Sequence, residues 1–539
     1  MDATVTGQEQ ESFAATTERW RELGFRTDER IADLLERSAL AWPDRVAVIT
    51  AEGETTFREL QARSSAIART LVAAGIGPSD VVCWMLPTTV DAIATAAAVW
   101  RVGAVSSPVV PVYGPREILS VIEQVRPAAV ITWATNPRRD HPGEFDAALE
   151  QVGHVPRARL LTEGRSVGWV EAGSEGPGSL PTSLVGSAAQ DPCLILFTSG
   201  TESAPKAAVH TPASIHHELR STIAEWGLTF RDRMVMASPM THITGLLQGF
   251  MIPARVGASA VLLERWDAAA GVDLIERTGA TYMAGATPFL RELVHAYEAA
   301  GLSESSLRQY CCGGASVPPQ LIRQVGDLGV AAYRAWGMTE LPTATIANEL
   351  DPLEARAETD GRLAPGVELR VVNASGEDVE PGEEGEMLLR GPEMMRGYLA
   401  PGLDGAAFTA DRWFKTGDLG SLGTDGYVRI SSRIKDIVNR GGEKFSVRQI
   451  EEAVARHPDV VAVAVVAVPG GRLGEQIGAA VVSSRGELTL EEVGRTVTDF
   501  GLARQKQPEL LRTVETLPTN ATGKIDKAAL VKLLTEGPE

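Results

Sequence analysis

The sequence predicts an α/β protein with a large N-terminal part built of α/β subdomains plus a β-rich subdomain, followed by a small α+β C-terminal domain. Three changes of texture predict it. Up to about residue 365, short apolar runs alternate with helical patterns, which is how a largely parallel sheet flanked by helices reads. From about Gly366, tight-turn signals separate short runs of strand character. After residue 434, capped helices return around one long apolar run.

In chain order, Phe57, Leu60, Ile67 and Leu71 recur at helical intervals; Thr56 and Glu59 form a capping box, and Gly75 is the stop. Val81, Val82 and Trp84 read as a strand, Val90 to Trp100 as a helix, and Ala128 to Thr132 as the next strand. Further strands are expected at Cys193 to Phe197, Met234 to Ser238, Ala260 to Leu263 and Ala331 to Tyr333. In the β-rich part, Glu368 to Val372 and Gly385 to Arg390 pair as antiparallel strands near the Asn373 to Gly376 turn. The turn Thr424-Asp425-Gly426 introduces Tyr427 to Ile430. Beyond it, Ser446 and Gln449 cap a helix carrying Ile450, Val454 and His457. Val460 to Val468 is a buried strand, and Thr489 with Glu492 opens another helix. The division falls at residues 1–433 and 434–539.

Composition narrows the function classes. The 539 residues allow roughly three to four domains, and 44% hydrophobic with 22% charged residues is ordinary for a globular chain. The 51 Lys+Arg against 70 Asp+Glu leave a net charge of −19, which repels nucleic-acid backbones. The apolar run Val460 to Val468 stops at Pro469 and is far too short to span a membrane. The N-terminus lacks the basic and apolar regions of a signal peptide. The four cysteines (83, 193, 311 and 312) form no CxxC pair. A cytoplasmic protein without metal or disulfide frameworks is expected.

Six motifs carry the chemistry. Leu194 to Phe197 runs into Thr198-Ser199-Gly200-Thr201-Glu202-Ser203-Ala204-Pro205-Lys206. A buried strand leading into hydroxyls, a glycine and a lysine suits a phosphate cradle, although GxxxxGK[ST] is absent and such loops also occur as plain surface turns. There follow Cys312-Gly313-Gly314-Ala315 and Trp336-Gly337-Met338-Thr339-Glu340. Next come Trp413-Phe414-Lys415-Thr416-Gly417-Asp418-Leu419, then Ser432-Arg433-Ile434-Lys435-Asp436 with Asn439 to Lys444. Pro518-Thr519-Asn520-Ala521-Thr522-Gly523-Lys524-Ile525 is last. Taken singly, Asp418 reads as a turn former, Glu340 and Lys524 as solvated charges, and Trp336 as core. Glu443 and Arg448 read as surface charges.

In this order the motifs closely resemble the adenylate-forming superfamily of acyl- and aryl-CoA synthetases, peptide-synthetase adenylation domains and beetle luciferases, over essentially the whole chain. The resemblance implies ATP-dependent activation of an acid through an AMP anhydride, then transfer to the thiol of CoA with release of AMP and pyrophosphate. The activity so implied is that of an AMP-forming acid–CoA ligase. It also assigns roles. Thr198, Ser199, Gly200, Thr201 and Lys206 hold the ATP β- and γ-phosphates. Gly313, Gly314 and Ala315 approach adenine, with Trp336 beside it. Thr339 contacts the α-phosphate, Glu340 binds Mg²⁺, and Asp418 with Arg433 takes the ribose. Lys524 bridges the attacking oxyanion and the α-phosphate. The small C-terminal domain is mobile about a hinge near Lys435, and Gly441-Gly442 walls the pantetheine tunnel. His242 stands beside the acid pocket.

The same resemblance sets the alternatives. The second acceptor could be a separate carrier-protein thiol or an amine, and the acid could be inorganic, such as nitrite. A luciferase-like monooxygenase shares every nucleotide motif. Only fifteen residues follow Lys524, so no internal carrier is expected. Ile243 stands where hydroxybenzoate-activating relatives place Asn, and Met240, Thr244, Tyr282, Thr287 and Trp336 are candidate pocket lining. Glu202-Ser203 replaces the usual Thr-Gly, and Ala207 a usual Gly; Glu202 is expected to face solvent or a cation. Five Lys/Arg at 433, 435, 440, 444 and 448 against Asp436 and Glu443 suggest a +3 patch for CoA phosphates, with a mixed-charge face as the alternative.

Overall fold

Two mainly parallel sheets carry the large N-terminal part, where the alternating pattern suggested one. The computed structural model describes residues 16–174, 188–198, 205–314, 317–400, 402–440, 443–470, 474–519 and 525–536. In the eight-stranded sheet, Val81–Trp84 lies between Val105–Pro108 and Ala129–Thr132, all parallel. Leu194–Thr198 extends it in parallel, and the antiparallel strands Lys206–His210 and Gly397–Tyr398 close that edge. The seven-stranded sheet places Ala331–Ala335, Gln309–Gly313, Tyr282–Gly285, Arg233–Met236 and Ser259–Leu262 side by side in parallel. Val46–Ile49 joins it from far upstream. Alternation along the chain identifies strands but not the sheet they enter.

Local chemistry explains the helices. The Thr56 hydroxyl accepts the Glu59 N–H, and the Glu59 carboxylate accepts the Thr56 N–H, so the box starts Phe57–Ala73 as expected. Gly75, at φ 73°, takes the left-handed position that follows. Helix Val90–Arg101 is buried all round from Ala92 to Trp100. Its lack of a polar face follows from packing in the interior; Trp100 stacks on Phe250 with centroids 5.9 Å apart.

The β-rich region is a four-stranded antiparallel sheet in the order Glu368–Val372, Gly385–Arg390, Phe414–Leu422, Val428–Arg433. A 3₁₀ turn, Ile434–Asp436, follows its last strand. The C-terminal part then builds a three-stranded sheet from Val460–Pro469, Glu475–Ser483 and Leu510–Thr513. Its long apolar strand is covered on both faces. Val463, Val465 and Ala467 join the core under helices Val447–Val454 and Leu490–Asp499, while Ala464, Val466 and Val468 join that under Lys527–Thr535. Strict alternation with both faces covered produces a continuous apolar run. Burial starts late, however, since Val461 is 38% exposed. His457 also differs from expectation: the helix ends at Val454, and the His457 ring accepts the Asp459 N–H at 3.2 Å. Among the described residues, no helix is long and apolar enough to cross a membrane.

Candidate active site

The parallel strands Tyr282–Gly285, Gln309–Gly313 and Ala331–Ala335 end together, with Gly313 paired to Ala335 and Gly285 to Cys312. Ligands of open α/β sheets sit beyond such carboxyl ends. A cavity of about 140 Å³ opens there, lined by Gly313, Gly314, Trp336 and Thr339 on one side and by Trp226, His242, Ile243 and Gln248 on another. Gly314, at φ 79°, needs the left-handed region. Gly337 is required for space, because a Cβ there would lie 1.9 Å from the Pro342 carbonyl oxygen. That approach lets Met338 N–H reach the Leu341 carbonyl at 2.9 Å, which places Thr339 and Glu340 at the tip of a turn.

The Thr339 carbonyl is held at 2.7 Å by His210 Nε2, which must carry the proton because a carbonyl only accepts. Burial lowers the His210 pKa to about 4 against the smaller opposing effect of this bond, so the ring is neutral at physiological pH. Sequence reading missed His210; its single position in an apolar strand gives no signal.

Tyr398 was missed as well, and it joins two predicted residues. Its strand pairs with Lys206–His210, which sets its ring 5.4 Å from the Lys206 ammonium. Its hydroxyl donates to Glu340 Oε1, and Met395 N–H donates to the Glu340 carbonyl at 2.8 Å. Burial first, then the Glu340 carboxylate, holds the phenol well above its usual pKa, so it stays a donor. Thr198 pairs with Lys206 across the two strands that flank the predicted phosphate loop. Lys206 and Glu340 thus stand at one end of the site. Among the described residues, no group of three or more His, Cys, Asp or Glu could hold a metal ion. A lone carboxylate beside a lysine fits Mg²⁺ that keeps its waters and arrives on phosphates.

At the other end, Trp336 Nε1 donates to Asp418 Oδ2 at 2.8 Å, and Arg433 Nε lies 2.9 Å from Oδ1. The aim of Asp418 comes from a bulge. Between the pairs Glu386–Leu419 and Leu388–Lys415 the register shifts, and Thr416 Oγ1, donating to the Met387 carbonyl, accepts the Asp418 N–H at 2.9 Å. Burial raises the Asp418 pKa above its ordinary value, opposed by Arg433 and the Trp336 N–H.

Of the candidate pocket residues, Thr244 and Trp336 line the cavity with His242 and Ile243. Met240 and Tyr282 are fully buried outside its lining, and Thr287 contacts Cys312 Sγ at 3.8 Å. His242 caps the short helix Ile243–Leu246, accepting the Thr244 N–H on Nδ1 at 3.4 Å. Gln248 and Thr343, which also line it, carried no sequence signal. Ser199, Gly200, Thr201, Glu202, Ala315, Gly441, Gly442 and Lys524 lie outside the described residues.

Comparison with known proteins places this geometry. The model of the AMP-binding enzyme family matches residues 35–399, and that of the AMP-binding enzyme C-terminal domain matches 449–524. The chain belongs to the AMP-binding enzyme family. It is 32% identical to the medium-chain fatty-acid–CoA ligase of Escherichia coli strain K12, over 99% of this chain and 94% of that protein. It is 31% identical to the salicyl-AMP ligase / salicyl-S-ArCP synthetase of Mycobacterium tuberculosis, over 96% and 92%. The crystal structure of ATP-bound MatB from Rhodopseudomonas palustris matches with a TM-score of 0.81 at 26% identity, covering 94% of this chain and 99% of that one. As a member of this adenylate-forming family, the AMP-binding enzyme described here uses ATP.

One charge reading needs correction. Arg448 is not a surface charge: its side chain is 15% exposed and lies 3.8 Å from Asp360 and 3.1 Å from Glu452. Of the two readings of the charges at 433–448, the described side chains fit the mixed-charge face, with Arg433 on Asp418, Arg440 on Glu509 at 2.9 Å, and Arg448 on Asp360 and Glu452. Clustering in sequence did not leave these three arginines as free cations.

Proposed function

We propose that this member of the AMP-binding family is an AMP-forming acid–CoA ligase. The observation that carries the reading is the placement of the cavity between a cation–carboxylate pair bridged by Tyr398 and a buried carboxylate held by Trp336. ATP laid across the site would put its phosphates at Lys206 and the loop Thr198, Ser199, Gly200 and Thr201. Its adenine would lie on Gly313, Gly314 and Ala315 beside Trp336, with its ribose at Asp418 and Arg433. Thr339 would donate to the α-phosphate, with Glu340 holding Mg²⁺, whose charge offsets that of the phosphates. The acid, in the cavity beside His242, attacks the α-phosphorus and pyrophosphate leaves. Lys524 neutralises the developing charge.

Rotation of residues 434–539 about Lys435 then exchanges the lysine loop for the face carrying Gly441 and Gly442, where CoA sulfur displaces AMP. Likeness to CoA ligases supports CoA as acceptor, as likeness to a salicyl-S-ArCP synthetase supports a carrier thiol. The four cysteines are free and buried, which suits a reducing cytoplasm. Pyrophosphate release across a panel of carboxylic acids and nitrite, with and without CoA, tests the reading. A matching acyl-CoA thioester is expected; pyrophosphate without thioester overturns the CoA assignment and directs the search to carrier thiols and amines.

A further inference from the structure

The cavity that would receive the acid is not uniformly apolar. Trp226, Leu247, Ala284 and Cys311 form much of its wall, yet Gln248 also lines it. Gln248 is only 4% exposed, and its amide oxygen has no hydrogen-bond partner. Buried polar groups are normally satisfied, and leaving one unmet is costly. The backbone explains why it stays there. Leu247–Met251 is a π-helical turn between the short helices Ile243–Leu246 and Ile252–Val256, a wide turn often found at functional sites. Neighbouring side chains pin it. Phe250 stacks on Trp100, and Gly249 leaves no room for a Cβ, which would sit 2.8 Å from Met240 Sδ.

A second polar group lines the cavity too. Thr343 lines the cavity and donates to Glu218 Oε1 at 2.7 Å; Glu218 is 1% exposed and its Oε2 is unpartnered. An unsubstituted alkyl chain in the cavity would offer the Gln248 amide no partner. A hydroxyl would suit the Gln248 amide whichever way it is turned, since it both donates and accepts.

Resting on the adenylating reading above, we propose that Gln248 is a specificity-determining residue that hydrogen-bonds a hydroxyl or amino group on the body of the acid. The substrate class is then a hydroxy- or amino-substituted acid. A site built to bond a substrate hydroxyl rejects the analogue lacking it far more strongly than an apolar pocket rejects a methylene.

The experiment measures pyrophosphate release, which does not depend on the acceptor. Benzoate, cyclohexanecarboxylate and hexanoate are each compared with their positional hydroxy and amino derivatives. At least one derivative should exceed its parent by roughly tenfold or more in kcat/KM. In Gln248→Met, a swap of similar volume, that ratio should fall to within about threefold of unity; Gln248→Asn, which draws the amide back, should lie between. Parents equal to or better than every derivative would overturn the proposal, as would an undiminished ratio in Gln248→Met. Should that variant fail to fold, the wild-type and Asn ratios decide. Preference for a plain acid together with active adenylation sinks this inference alone, whereas no pyrophosphate from any acid overturns the adenylation reading and this inference with it.

Discussion

The two ends of the site are built to different standards of rigidity. At the end proposed for the ribose, Asp418 is 3% exposed and both its oxygens are engaged, by Trp336 and Arg433. At the end proposed for the phosphates, Lys206 is exposed and its ammonium lies 5.4 Å from the centre of the Tyr398 ring. A buried bond network is rigid before ligand arrives, whereas an exposed cation on a flexible stem orders on binding. On the proposed function, the nucleoside would meet a preformed socket and the triphosphate groups that gather round it.

The largest effect is expected at Lys524, proposed to act on the α-phosphate. Lys524→Ala should lower adenylate formation from acid and ATP by roughly a hundredfold or more, the scale of losing one transition-state donor. It should largely spare thioester formation from supplied adenylate; equal loss in both steps would remove Lys524 from the proposed role. Next, Asp418→Ala should raise the ATP KM by roughly five- to a hundredfold, because it removes the charged acceptor proposed for the ribose hydroxyls. An unchanged KM would mean that the socket is not a ribose site. A smaller effect is expected at the looser end. Tyr398→Phe keeps the ring under Lys206 but frees Glu340, and should cost roughly two- to tenfold in adenylation rate, accompanied by a higher Mg²⁺ requirement.

The smallest effect concerns the wall between the ends. Burial raises the Glu218 pKa from 4.5 to about 7 in the folded protein. Its contribution to stability is therefore fully present below 4.5 and is lost as pH rises through about 7. Glu218→Gln, which cannot ionise, should gain in melting temperature relative to wild type between about pH 5 and pH 8. A gap that does not change with pH would show that the carboxyl is ionised throughout.

Motifs were legible where one short segment carries its own chemistry. Trp336, Thr339, Glu340 and Asp418 fall within such segments, and each stands in or beside the cavity or its flanking pairs. What stayed hidden was pairing at a distance. Tyr398 reaches Glu340 across 58 positions, and His210 reaches Thr339 across 129; neither has a local pattern. Arg448 was read as solvated because local sequence shows neighbouring charges but not the body against which they close. The two-sheet body was hidden for the same reason, since nothing near Val46 announces a partner at Ser259–Leu262. Capping boxes and the turn-rich β region, decided within a few residues, were read correctly.

Asp360 gives the proposed rotation an unexpected ease. It accepts the Ile430 N–H at 2.8 Å and lies between two arginines, Arg448 of the C-terminal part at 3.8 Å and Arg334 of the body at 4.0 Å. If Arg448 leaves with the turning domain, Arg334 remains beside the carboxylate. The carboxylate is never left as a lone buried charge, the outcome that makes the breaking of such pairs so costly. A spare counter-ion on the stationary side lets the moving part detach as a latch does, without tearing the surface it rested on.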